Sequence, residues 1–151
     1  MPGTADIPAV LAANAESLAE LRALAGRLTE AGFATPLGAG WTVGSAFGHL
    51  AFWDMRAAVM ADRWKLADAI SGANIDDEGV NEAIEPVLLA ASGRALATMA
   101  MAAALAANTA IARLSPELLV HALGETGVFE ADRSAHRREH IAQIERALAE
   151  A

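Results

Sequence analysis

The chain has 151 residues, 54% hydrophobic and 20% charged, with no cysteine, and 19 acidic residues against 11 basic ones leave a formal net charge of -8. That is the size of one domain with ample apolar material for a core, so residues 1–151 are read as a single domain and disorder is excluded as the main state. No run of Lys or Arg supplies the basic face of a duplex nucleic-acid binder, and without cysteine there is no disulfide framework, thiolate ligand or cysteine nucleophile.

The stretch Met1-Pro2-Gly3-Thr4-Ala5-Asp6 has neither a basic region nor an apolar run. No secretory leader is therefore expected, and the expected compartment is the cytoplasm. Ala95 to Ala112 carries no charge and is long enough to span a bilayer. It is mostly alanine, with Thr98, Asn108 and Thr109 inside it, and its strong hydrophobes are only Leu96, Met99, Met101, Leu105 and Ile111. Insertion is driven mainly by Leu, Ile, Phe and Val, so this reads as a buried helix and not as a membrane span.

Alanine makes up about a quarter of the chain and is the best helix former, and no period-two apolar run suggests a strand. The expectation is all-α. A first helix is predicted from Ile7 to Glu30, with Pro8 near its start and Leu11, Leu18, Leu21, Ala25 and Leu28 as its buried stripe. A loop comes next, from Ala34 to Gly40. A second helix starts after Trp41, capped by Thr42, and runs to Ile70. Asp76-Asp77-Glu78 suits the positive end of a further helix. Pro86 and Gly93 divide the stretch beyond it into a short helix, a break and a long helix to Leu114. Ser115-Pro116-Glu117 resembles a helix start, but Leu118 to Gly127 is read as a turn-rich link. The last helix covers Phe129 to Ala149. These elements predict a four-helix bundle with a short extra helix before the third long one.

The four histidines are His49, His121, His136 and His140. His136 and His140 lie four apart, on one face of the last helix and one turn from each other, so both rings can reach one metal ion. At about 100° per residue that face also carries Phe129, Ile144 and Ala147, while Arg138 and Glu139 point to water. There is no glutamate after His136, so this is not a zinc-protease helix. His49 falls on the second-helix face of Ala46, Trp53, Ala57 and Met60, read as buried. An unpartnered buried imidazole is unfavourable, and a shared metal satisfies three rings at once. Three histidines leave open positions on a zinc- or nickel-type ion, the pattern of a catalytic centre.

The segment Gly40-Trp41-Thr42-Val43-Gly44-Ser45-Ala46-Phe47-Gly48-His49-Leu50-Ala51-Phe52-Trp53-Asp54 resembles the DinB-like superfamily. His136-Arg137-Arg138-Glu139-His140-Ile141-Ala142-Gln143-Ile144 resembles its second signature, and Asn81 resembles an asparagine found between helices two and three. The resemblance implies an up-down-down-up four-helix bundle, frequently a homodimer, with a divalent metal on His49, His136 and His140. It also implies metal-dependent chemistry of the kind that thiol-dependent transferases and isomerases perform with a low-molecular-weight thiol. As the chain has no cysteine, that thiol arrives as a cosubstrate.

The remaining polar residues near these histidines have plainer expected roles. Arg56 and Arg133 are read as partners of Asp or Glu, with binding of an anionic group as the alternative; Asp54 is read as solvated surface, with a hydrogen bond to a ligand imidazole as the alternative, and His121 as exposed. Trp41, Trp53 and Trp64 are read as core or interface, and Met60, Met99 and Met101 as core gap fillers. Two other functions fit the same sequence: a non-catalytic metal- or small-molecule-binding bundle, and a dimeric structural bundle with a vacant histidine site. In none of these readings is nucleic acid or a membrane the partner.

Overall fold

The computed structural model describes residues 6–124 and 127–151. Among them are seven helices and one two-stranded sheet, so the all-α expectation is met apart from that small sheet. Helix α1, Ile7–Gly26, starts where the Asp6 side chain accepts from the Ala9 N–H, with Pro8 in the first turn. It ends before the expected Glu30. The Thr29 hydroxyl accepts from the Gly32 N–H and starts a separate four-residue helix α2, Glu30–Phe33. A threonine that binds the following turn competes with continuing the preceding one.

Strands β1 (Pro36–Gly38) and β2 (Trp41–Thr42) pair antiparallel. The reversal between them uses Gly38 at φ 96° and Gly40 at φ 86°, a backbone region that favours glycine. Thr42 then caps α3, Val43–Ala67: its hydroxyl accepts from the Ser45 N–H while the Ser45 hydroxyl accepts from the Thr42 N–H. Helix α4, Asp77–Leu89, is capped by Asp76 and continues through Pro86. Helix α5, Gly93–Ala112, begins after the cap Ser92.

Two expectations for the C-terminal third are corrected. The segment after Ser115 is helical, α6 (Pro116–Ala122), because Leu118, Leu119 and Ala122 bury in the core and Ser115 caps Leu118. The last helix, α7, runs from Ser134 to Glu150, so Phe129 precedes it. Phe129 instead packs edge-on against Trp64, with ring centroids 4.8 Å apart.

The long helices touch along their lengths. A Cβ on Gly44 would lie 2.8 Å from the Gly93 Cα, so α3 and α5 meet backbone to backbone at their starts. Further on, Ala57, Ala61 and Trp64 share a cluster with Ala107, Ala110 and Ile111, so the two helices run in the same sense. Ion pairs from Arg138 to Glu20 and from Arg27 to Glu145 make α1 and α7 parallel in the same way. Contacts of His49 with His140 and of Asp54 with Arg133 set α3 opposite to α7. Helix α5 is the one described helix long and apolar enough to cross a membrane; its Ala97, Ala100, Ala104, Ala107 and Ile111 are buried, whereas Met99 and Leu105 are exposed. Met99 is thus not the core filler expected of it.

The buried stripe of α3 is Phe47, Leu50, Asp54, Ala57, Ala61 and Trp64, each at most 1% exposed. A carboxylate sits in the middle of a seven-residue apolar repeat. That of α7 is Ser134, Arg137, Ile141 and Ile144. Hence the core has an apolar cluster above and another below a polar layer of Asn14, Ser17, Asp54, Arg133 and Arg137.

Candidate metal centre

The buried stripes leave His49, His136 and His140 one position to the side of the core, half-buried on the shoulders of α3 and α7. They meet there. His49 Nε2 lies 3.0 Å from His136 Nε2, and one nitrogen from each of the three rings lies within 4.8 Å of the others. Two nitrogens each about 2.1 Å from one ion are about 3.0 Å apart at a right angle and about 3.4 Å apart in a tetrahedron, so the closest pair, at 3.0 Å, is already near the spacing of shared ligands.

Burial disfavours the imidazolium form of all three. It lowers His49 from 6.5 to about 4 and His136 from 6.5 to about 3, and it lowers His140 as well. Arg133 and the neighbouring rings add to the fall at His136. Asn81 opposes it at His49, although His49 Nδ1 is buried with no hydrogen-bond partner. At neutral pH the cluster is therefore three neutral rings with lone pairs to offer. His140 Nδ1 lies 3.1 Å from Gln143 Oε1, an acceptor that places the ring proton on Nδ1 and frees Nε2. In number and type these residues fit a divalent transition ion, and His140 already has the tautomer that ligation through Nε2 needs.

Two cavities open onto the cluster. The smaller, about 230 Å³, is walled by Leu37, Trp41, Ala46, Asn81 and Gln143 with His49 and His140. The larger, about 620 Å³, is bounded by His49, His136, Trp53, Arg56, Asn81 and Arg133 among others. Asn81 borders both, and its Oδ1 accepts from the Trp53 indole N–H at 3.1 Å. The Trp41 ring centroid lies 5.7 Å from that of His49. Arg56 donates to the carbonyls of Val128 and Ala73, so its expected carboxylate partner is replaced by backbone.

Asp54 corrects the expectation of a solvated residue: it is 0% exposed. Its Oδ1 accepts from Arg133 Nε at 2.8 Å and its Oδ2 from Arg137 Nε at 2.9 Å. Arg137, also wholly buried, donates further to the Asn14 carbonyl, the Ser17 hydroxyl and the Ala104 carbonyl. All four long helices are tied by this one set of bonds, and α7 is held in register beneath the histidines. Arg133 is paired with a carboxylate as expected, and it also reaches His136, its Nη2 lying 3.2 Å from Nδ1. The sequence reading missed Arg137, Asn14, Ser17 and Gln143. His121 is exposed on α6 and outside the cluster, as expected.

Compared with known protein families, curated proteins and solved structures, the chain finds no match.

Proposed function

We propose that this chain is a DinB-like four-helix bundle in which His49, His136 and His140 hold one divalent metal ion, and that it is a metal-dependent enzyme acting on a small molecule. The observation that carries this reading is the convergence of three neutral imidazoles at the boundary of two cavities. The pairings of α1 with α7 and α3 with α5 support the up-down-down-up order of such a bundle. When bound, zinc or nickel supplies Lewis acidity to a substrate group brought against it. The chain's own residues do the rest. Leu37, Trp41 and Ala46 give the smaller cavity an apolar wall, while Arg56, Arg133 and Asn81 offer polar contacts in the larger. Thiol-dependent transfer or isomerisation is the first chemistry to assay, with the thiol as cosubstrate, and ester or amide hydrolysis the second.

A metal that merely staples α3 to α7 is the weaker reading, because Asp54, Arg133 and Arg137 already join these helices. The decisive measurement is metal content of untagged protein by plasma mass spectrometry, wild type beside His49→Ala. Close to one ion per chain, lost in the variant and required for turnover, is the expected result. No metal in either protein after reconstitution refutes the proposal.

A further inference from the structure

The polar contacts of Arg133 determine where the protons of two of the histidines sit. A guanidinium has donors and no acceptor. With Arg133 Nη2 3.2 Å from His136 Nδ1, that nitrogen must accept, so a neutral His136 carries its proton on Nε2. Nε2 in turn faces His49 Nε2 at 3.0 Å and donates to it. The proton of His49 is then on Nδ1, the buried atom with no partner. Each link depends on the one before, and the result is a relay from Arg133 through His136 to His49.

A metal ion needs the opposite arrangement at His136. Ligation through Nε2 requires the proton on Nδ1, where it meets an arginine N–H head on. Metal-binding histidines usually find an acceptor there, as His140 finds Gln143. Resting on the metal reading above, we propose that Arg133 is a positioning residue that gates the centre: while its Nη2 is on His136 Nδ1 the site is closed to metal, and loading requires that contact to open. Asp54 anchors the guanidinium through Nε, and the larger cavity, which both Arg133 and His136 line, provides the space for the movement.

The first test needs no variant. Multiple-bond 1H–15N NMR of metal-free, untagged protein should show His136 protonated on Nε2 with Nδ1 as a hydrogen-bonded acceptor. The second is zinc affinity by competition with a chromogenic chelator. Arg133→Met removes the donor at nearly the same length and should bind zinc about 10-fold more tightly, the scale on which such outer partners act. Arg133→Lys, which keeps charge and donors, should show no such gain. A His136 proton on Nδ1 in the metal-free wild type overturns the gate, and so does an Arg133→Met variant no tighter than wild type. Zinc bound with the wrong tautomer refutes the gate alone, whereas no zinc in wild type or either variant overturns the metal reading and the gate together.

Discussion

Replacing Asp54 with asparagine tests the polar layer on which the site is built. Asp54 and Arg137 have side chains 0% exposed and Arg133 one that is 9% exposed, so two of the three charges are fully shielded from solvent and the third nearly so. Asp54→Asn keeps the volume but removes the only negative charge among them, and its NH2 meets an arginine N–H where a carboxylate oxygen accepted. Removing one partner of a buried ion pair costs about 3–5 kcal/mol, because the other is left uncompensated. For a chain of this size each kcal/mol moves Tm by about 2–4 °C, so the expected drop is about 6–20 °C. The control is Glu145→Gln in the pair with Arg27, whose side chains are 55% and 50% exposed and which should contribute about 0–1 kcal/mol. Thermal and urea unfolding with a chelator present keep metal out of the comparison. A Tm for Asp54→Asn within about 3 °C of wild type, or no lower than that of Glu145→Gln, refutes the reasoning.

Two other predictions concern pH and close packing. In the metal-free protein the unfolded histidines take up protons near 6.5, but folded His49 does so only near 4 and His136 near 3. Above pH 6.5 both states are neutral and contribute nothing. Below it the unfolded state binds more protons, so stability falls as pH drops, by up to about 1.4 kcal/mol per pH unit and group, until the folded rings titrate. A His49→Gln, His136→Gln double variant should flatten the fall between pH 6 and 5; an unchanged slope locates the proton uptake elsewhere. Gly44→Ala sets a methyl 2.8 Å from the Gly93 Cα and should cost about 1–3 kcal/mol in urea unfolding. The nearest atoms to a Gly48→Ala methyl are the ends of the Leu88 and Leu96 side chains, which can yield, so it should cost less; equal losses mean that the backbone contact is not what limits the spacing of α3 and α5.

Local signals were the legible ones. Thr42 and Asp76 each cap the helix that begins beside them, because a side-chain oxygen two or three residues ahead of a free N–H acts within one turn and needs no tertiary partner. Ser115 caps α6 in the same way, but reading Leu118 to Gly127 as a link passed over that signal, since what holds α6 is the tertiary burial of Leu118, Leu119 and Ala122. The His136 and His140 pair was legible for the same reason: four residues on a helix is a distance set by geometry alone. His49 was placed correctly beside them although the stripe assigned to it was rotated. The true stripe of α3 passes through Leu50, Asp54 and Ala57, and that of α7 through Ser134, Arg137 and Ile141. Each line contains a charged residue, and a reading that gives charges to water turns both helices toward the histidines.

That rotation decides where the histidines open. If the histidines lay on the core stripe itself, they would be sealed between helices. Because Asp54 and Arg137 take the central positions, the rings are displaced to the shoulders, where the two cavities reach them. The signal was present in the sequence as a period: Phe47, Leu50, Ala57, Ala61 and Trp64 leave Asp54 at the one position that completes a seven-residue repeat. A carboxylate in that register needs a buried cation, and Arg137 stands in the equivalent stripe of the last helix. The same pattern of charged residues that looks like a defect in an apolar core is what turns the histidines outward to the two cavities.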